Sequence, residues 1–187
     1  MTALGLGLGL GLSRQRPRPR VNDAGNEVLF DPPSNLLFDK TSIWLPDFES
    51  ELYTHLTNHP DLLHQIDPRK FEELIASIFR NQGFYVELTP PSKDGGYDLL
   101  AVQKDPITGP SKYLVECKRY HPENKVGVGI IRSLLGVVVD QQADKGILAT
   151  TSFFTRGASE FQERNQKTLS SVNYDGVLGW LNEMKLL

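Results

Sequence analysis

The stretch SKDGGYDLLAVQKDPITGPSKYLVECKRY, from Ser92 to Tyr120, decides the fold of this chain. It contains two short apolar runs, Leu99 to Val102 and Tyr113 to Val115, separated by a segment rich in Pro, Gly, Asp and Ser. Apolar, β-prone runs joined by such residues are typical of a β-hairpin. We therefore predict two adjacent antiparallel strands in this part of the chain.

The register of the hairpin predicts which side chains meet. If Lys104 pairs with Pro110 around the turn, Asp98 falls directly opposite Glu116. Directly opposed side chains have Cβ atoms roughly 5 Å apart on one face of the sheet. Lys118 points to the same face as Glu116 because side chains alternate along a strand. The sequence thus predicts two carboxylates and an ammonium group at one strand end.

These three groups suit phosphodiester chemistry. Two carboxylates that lie this close repel each other unless they share a cation. Magnesium fits, because it accepts a small number of carboxylates and takes its other oxygen ligands from water and substrate phosphate. Such an ion lowers the pKa of a bound water, while a nearby lysine orients the water or stabilises the developing anion. The predicted reaction is hydrolysis of a phosphodiester bond.

The same residues carry a family resemblance. Asp98, followed after a gap by Glu116-Cys117-Lys118, resembles the D…ExK signature of the restriction endonuclease-like nuclease superfamily. An ordered series of segments is similar to the Mrr-like branch, the catalytic domain of type IV restriction endonucleases. These segments read FEEL at 71–74, QGF at 82–84, DGGYD at 94–98, ECKRY at 116–120 and TTSFFT at 150–155. The similarity extends from Asp67 to Leu187.

The resemblance implies an α/β fold with a restriction endonuclease-like core, a mixed β-sheet of about five strands flanked by helices. It implies magnesium, with manganese as the alternative, held by Asp98, Glu116 and the carbonyl of Cys117. Lys118 would position or activate the water, and Glu72 on the first helix would assist. The implied protein is a DNA endonuclease in restriction or in defence against foreign or modified DNA. Cutting both strands of a duplex takes two such sites, so we expect a homodimer or higher homo-oligomer, or paired nicking.

Two other functions use the same residues. A nuclease for branched DNA or RNA would need the same chemistry, since the site acts on any phosphodiester. A DNA-binding or scaffolding module could keep the fold without cutting, although such a module has no need for two carboxylates and a lysine on one face. In the simplest interpretation, Asp98 ends a turn, and Glu116 and Lys118 form an exposed pair.

Periodicity outside the hairpin predicts the order α-β-β-β-α-β-α-β-α from Asp67 onward. Asp67 is expected to cap the first helix. The strand from Gly146 to Thr150 is expected to pair in parallel, because a crossover of helical length precedes it. The other predicted elements are strands at 84–89 and 171–174 and helices at 126–141, 155–166 and 176–187.

Composition divides the chain into three parts. We predict a disordered Leu/Gly and Arg/Pro tail at 1–22, a short helical extension at 23–66 with helices at 47–57 and 60–66, and a nuclease domain at 67–187. A single cysteine excludes an internal disulfide and fits a reducing cytoplasm. No apolar stretch approaches the length of a membrane span, so we expect a cytoplasmic protein without a membrane partner.

A DNA partner is normally indicated by positive charge, whereas this chain has a formal net charge of −3. A balance of this sign argues against a general, high-affinity DNA binder. The basic residues that bracket the proposed site in sequence are Lys93, Arg119, Lys125 and Arg132. Thr151 and Ser152 lie between a buried strand and a helix, where hydroxyls and free amides can hold a phosphate. Plain helix capping explains these two residues equally well.

Overall fold

The computed structural model describes residues 46–90 and 95–184, and the backbone of 20–21 and 27–28. The chain divides into two compact units, Met1–Trp44 and Leu45–Leu187. In the first unit, strand β1 (Arg20–Val21) pairs antiparallel with β2 (Glu27–Val28). The rest of the predicted tail and the extension before residue 46 lie outside the described residues. No helix within the described ranges is long and apolar enough to cross a membrane.

The second unit alternates helices and strands. Its helices are α1 (Pro46–Asn58), a 3₁₀ helix (Pro60–His64), α2 (Pro68–Asn81), α3 (Val128–Asp140), α4 (Arg156–Arg164) and α5 (Tyr174–Met184). Its strands are β3 (Tyr85–Leu88), β4 (Leu99–Asp105), β5 (Gly109–Lys118), β6 (Lys145–Thr150) and β7 (Leu169–Val172). From α2 onward the order of elements is the predicted one.

The five strands form one mixed sheet in the order β3-β4-β5-β6-β7. The first three strands are antiparallel, whereas β6 pairs in parallel with both β5 and β7. The hairpin has the predicted register, with Lys104 opposite Pro110. The predicted α/β fold, a mixed sheet of five strands flanked by helices, is therefore confirmed.

The last strand and helix lie earlier in the chain than predicted. Strand β7 ends at Val172, and α5 begins at Tyr174. Asn173 starts the helix, because its side-chain oxygen accepts the N–H of Gly176 at 3.0 Å and its carbonyl accepts the N–H of Val177 at 2.9 Å. An Asx cap of this kind ends the strand two residues before the predicted limit.

Helices cover both faces of the sheet. Buried side chains of α1, α2 and α5 form one core with Val115 and Cys117 of β5. Side chains of α3 and α4 form a second core with Leu114 of the same strand. Because side chains alternate along β5, Glu116 and Lys118 follow Leu114 onto the face that α3 covers.

The segment before α2 packs into the first of these cores. Tyr53 is only 2% exposed, and Leu56 and Leu63 are also buried there. Tyr53 Oη donates a hydrogen bond to Ser77 Oγ of α2 at 2.7 Å. The segment before Asp67 thus shares a core with α2, which helical spacing could not show, because it indicates an apolar face but not the element that buries it.

Candidate active site

The candidate site is centred on an ion pair at the end of β5. Lys118 Nζ lies 2.9 Å from Glu116 Oε1, and the two side chains are 28% and 13% exposed. Strand alternation places both on one face, as predicted. Both groups are therefore close together and largely removed from bulk water, while still accessible to a ligand.

Asp98 reaches this pair from the start of β4. The ladder between the two hairpin strands ends at Leu99 and Val115, and the N–H of Asp98 donates to the Val115 carbonyl at 2.9 Å. Asp98 is thus one residue beyond the ladder, and the directly opposed pair with Glu116 is not formed. Its Oδ2 accepts the backbone N–H of Cys117 at 2.7 Å. This bond holds the Asp98 carboxylate beside the end of β5.

Burial and neighbouring charges change the pKa values of Lys118 and Cys117 at the site. Burial alone would lower the pKa of Lys118, but the hydrogen bond and charge of Glu116, with the charges of Asp98 and Tyr120, raise this pKa above its ordinary value. The ammonium group is therefore charged at neutral pH. Burial is the main reason that the pKa of the Cys117 thiol is well above its usual value, and the charge of Asp98 adds to it. The thiol is neutral and packs in the core.

Glu72 of α2 lies at the edge of the same site. Its Oε2 accepts a hydrogen bond from Arg69 Nη1 at 2.7 Å, and the same nitrogen donates to the Thr89 carbonyl at 2.9 Å. The N–H of Thr89 in turn donates to the backbone carbonyl of Asp98 at 2.8 Å. The charge of Glu72 also raises the pKa of Cys117. The structure thus connects Glu72 to Asp98 through Arg69, which our sequence interpretation missed although its spacing of three from Glu72 is a usual ion-pair spacing.

The donor set fits a hard divalent cation. Asp98, Glu116 and the carbonyl of Cys117 offer oxygen ligands of the kind that magnesium prefers. Within 46–90 and 95–184, no group of three or more His, Cys, Asp or Glu side chains is placed to hold a metal ion. Two carboxylates would therefore need a backbone carbonyl, water and phosphate oxygens to complete the coordination of magnesium, and Glu72 does not join them in this arrangement.

The hydroxyl side chains after β6 brace the strand end. Thr150, Thr151 and Ser152 are all 0% exposed. Thr150 Oγ1 donates to the Lys118 carbonyl at 2.7 Å, and Thr151 Oγ1 donates to the Tyr120 carbonyl at 2.7 Å. Ser152 Oγ donates to the Pro122 carbonyl, in the loop after β5, at 3.2 Å. The phosphate contact predicted for Thr151 and Ser152 is not available to hydroxyls that are buried and already bonded to the backbone.

The predicted basic contacts separate into different environments. Lys125 and Arg132 are exposed, and the Arg132 guanidinium lies 5.3 Å from the ring centroid of Phe161. Lys93 lies outside the described residues. Of the four basic side chains predicted to contact DNA, Lys125 and Arg132 are thus exposed at the surface.

Arg119 is turned toward the 3₁₀ helix. Its Nη1 donates to the His64 carbonyl at 3.2 Å, and its Nε is buried with no hydrogen-bond partner among the described residues. His64 Nδ1 lies 3.3 Å from the Tyr120 carbonyl. We missed His64 because it lies 55 residues from Arg119, and no local pattern connects the two.

The fold and the paired carboxylates with a lysine are features of a nuclease domain. Residues 63–181 match the sequence profile of the restriction endonuclease family, so the chain belongs to that family. The resemblance to the Mrr-like branch is confirmed.

Two relatives and one solved structure are similar to parts of this chain. An uncharacterized protein of Sinorhizobium fredii, y4cE, is 35% identical over 119 residues, which are 63% of this chain and 30% of that protein. The type IV methyl-directed restriction enzyme EcoKMrr of Escherichia coli is 28% identical over 107 residues, 54% of this chain and 34% of that enzyme. The chain therefore spans about a third of the length of these relatives. The DNA modification-dependent restriction endonuclease AspBHI has the same fold, with a TM-score of 0.55 and 22% identity over 86% of this chain and 42% of its own.

Proposed function

We propose that this chain is a magnesium-dependent endonuclease that hydrolyses phosphodiester bonds in DNA, with manganese as the alternative ion. The observation that carries the proposal is the meeting of Asp98, Glu116 and Lys118 at the end of β5 in a member of the restriction endonuclease family. A phosphodiester needs a nucleophilic water and neutralisation of the charge that develops on phosphorus. Two carboxylates can hold a metal ion that supplies the water, and the lysine can neutralise the developing charge.

Each residue has a role that follows from its contacts. Asp98 and Glu116 would hold the metal together with the Cys117 carbonyl, and the ion would supply a water of lowered pKa. Lys118 Nζ lies 2.9 Å from Glu116 Oε1, so it is placed to position or activate the water. Glu72 assists from α2, because Arg69 and Thr89 connect it to Asp98.

The proposed DNA contacts and biological role rest on basic side chains and on family membership. Lys125 and Arg132, both exposed, are proposed DNA contacts, and Lys93 and Arg119 are proposed from sequence alone. Family membership supports a role in restriction or defence against foreign or modified DNA, in the cytoplasm where such DNA arrives. Cutting both strands of a duplex takes two such sites, so we propose a homodimer or higher homo-oligomer.

The test is cleavage of supercoiled plasmid, unmodified and cytosine-methylated, in the presence of magnesium or of a chelator. Wild type is compared with Lys118→Ala and with Lys167→Ala, which removes an exposed lysine elsewhere in the chain. We expect wild type and Lys167→Ala to nick the plasmid with magnesium only, and Lys118→Ala to lose this activity. A difference between the two plasmids would establish recognition of modified DNA.

If folded wild type leaves both plasmids intact while it binds magnesium, the proposal of DNA cleavage is wrong. Branched DNA and RNA are then tested with the same three proteins. Cleavage of either by wild type and not by Lys118→Ala would assign the site to a different nucleic acid. Binding of DNA without cleavage of any substrate would leave a DNA-binding or scaffolding module.

A further inference from the structure

We infer that His64 is a positioning residue that holds the end of β5, and with it Lys118, in the arrangement needed for catalysis. The inference rests on the proposed function and deepens it. It starts from the juxtaposition of the last residue of the 3₁₀ helix with the two residues that follow Lys118.

His64 and the strand end are joined by reciprocal hydrogen bonds. Arg119 Nη1 donates to the His64 carbonyl at 3.2 Å, and His64 Nδ1 lies 3.3 Å from the Tyr120 carbonyl. A carbonyl oxygen can only accept, so Nδ1 carries the proton in this contact. The backbone of the 3₁₀ helix and the backbone after Lys118 thus hold each other in place.

The Tyr120 carbonyl is bonded from a second side as well. Thr151 Oγ1 donates to it at 2.7 Å and accepts the Tyr120 N–H at 2.8 Å. A carbonyl oxygen has two lone pairs, and His64 and Thr151 engage both. The residue two positions beyond Lys118 is therefore fixed between β6 and the 3₁₀ helix.

The imidazole ring of His64 is itself held. It stacks on the ring of Tyr174 with centroids 4.9 Å apart and planes inclined by 21°. The N–H of Tyr174 donates to the Ser152 carbonyl at 2.9 Å, so the stacking partner is anchored to the segment after β6. A ring held by stacking on one partner keeps Nδ1 directed at the Tyr120 carbonyl.

A shift of the Tyr120 backbone would also displace the Lys118 backbone. The Lys118 carbonyl accepts Thr150 Oγ1 at 2.7 Å and the N–H of Thr151 at 3.2 Å. Thr151 is also the partner of Tyr120, so a shift at Tyr120 displaces the group that holds the Lys118 backbone. The ammonium group would then leave its place beside Glu116, which affects the chemical step more than DNA binding.

Two substitutions separate the hydrogen bond from the stacking. His64→Phe keeps a ring against Tyr174 and removes the Nδ1 donor, whereas His64→Asn places an amide N–H near the Nδ1 position and removes the ring. We expect His64→Phe to lower kcat for plasmid nicking by roughly 10- to 100-fold with little change in KM, as for other residues that orient a catalytic group. We expect His64→Asn to recover most of the rate.

The control is Tyr53→Phe, which removes the hydrogen bonds that join Tyr53 of α1 to Ser77 and Asn81 of α2. Thermal unfolding is measured for all variants, and the control should cut at the wild-type rate despite its loss of stability. Nicking by His64→Phe at the wild-type rate would overturn the inference. So would an equal loss in His64→Asn and His64→Phe.

Amide hydrogen exchange tests the positioning without cleavage. The amides of Tyr120 and Thr151 should exchange faster in His64→Phe than in wild type, His64→Asn or Tyr53→Phe, because their bonds depend on the fixed Tyr120 backbone. If wild type cuts no DNA, the proposed function fails, yet faster local exchange in His64→Phe still supports the positioning by His64. Unchanged exchange in His64→Phe would overturn it whether or not wild type is active.

Discussion

The carboxylate of Asp98 accepts the backbone N–H of Cys117 at 2.7 Å, and this bond joins the start of β4 to the end of β5 at the candidate site. A hydrogen bond from a backbone amide to a carboxylate is stronger than one between neutral groups. It therefore fixes the position of Asp98 without using another side chain. The consequence is that the charge of Asp98 can be tested separately from its place in the fold.

Asp98→Asn should abolish most cleavage and leave the fold intact. The asparagine oxygen can still accept the Cys117 N–H, but the negative charge that attracts a cation is gone. We expect the nicking rate to fall by about 100-fold or more, as for loss of other preorganised charges at active sites, and calorimetry to show weaker magnesium binding. Glu163→Gln, which removes an exposed charge on α4, should change neither quantity. Wild-type magnesium affinity in Asp98→Asn would show that Asp98 is not a ligand.

Glu72→Gln and Glu73→Gln form a matched pair. Both glutamates form an ion pair three residues along α2, Arg69 with Glu72 and Lys70 with Glu73, each at 2.7 Å. Only the former pair connects to the Thr89 carbonyl and so to Asp98. We expect Glu72→Gln to slow plasmid cleavage by roughly 10-fold, as for residues that support a metal site, and Glu73→Gln to cut like wild type. Equal rates in the two variants would remove Glu72 from the site.

Gly96→Ala should destabilise the turn that precedes Asp98. Gly96 has a φ of +73°, and an added Cβ would lie 2.6 Å from Val137 Cγ2 of α3. Gly83 also has a positive φ, +91°, but has open space where its Cβ would be. We expect Gly96→Ala to lose about 1–3 kcal/mol more unfolding free energy than Gly83→Ala in urea denaturation, because overpacking adds to the backbone strain. Equal losses would mean that Val137 moves aside at little cost.

Thr151→Val tests whether this residue braces the backbone or contacts DNA. The variant removes both hydrogen bonds to Tyr120 and leaves backbone groups without this partner. We expect a loss of about 1–3 kcal/mol in unfolding free energy and an unchanged Kd for plasmid DNA. Ser133→Ala, on the exposed face of α3, should change neither value. Weaker DNA binding at unchanged stability would restore the phosphate contact predicted from sequence.

The hairpin and the candidate triad could be predicted because the signals are local. Turn residues, apolar runs and the period of two along a strand placed Lys104 opposite Pro110 and brought Asp98 to the same strand end as Glu116 and Lys118. The detail that failed, direct opposition of Asp98 and Glu116, depends on where the ladder ends. The ladder ends at Leu99 because the Asp98 N–H bonds to the Val115 carbonyl. In a regular antiparallel register, Asp98 would instead lie opposite Glu116.

By itself, the sequence determined the order of elements and the parallel pairing of β6, because each follows from spacing along the chain. It also predicted Asp98, Glu116 and Lys118 at one strand end, because side chains alternate along a strand. Only the tertiary structure decided that Thr151 and Ser152 are buried, that Arg119 turns to His64, and that α1 shares the core of α2. These features arise from contacts between residues far apart in sequence. Local periodicity shows that an apolar face must be buried, and side-chain chemistry shows that a donor needs an acceptor. Which residues bury the face or accept the bond is determined only by tertiary packing.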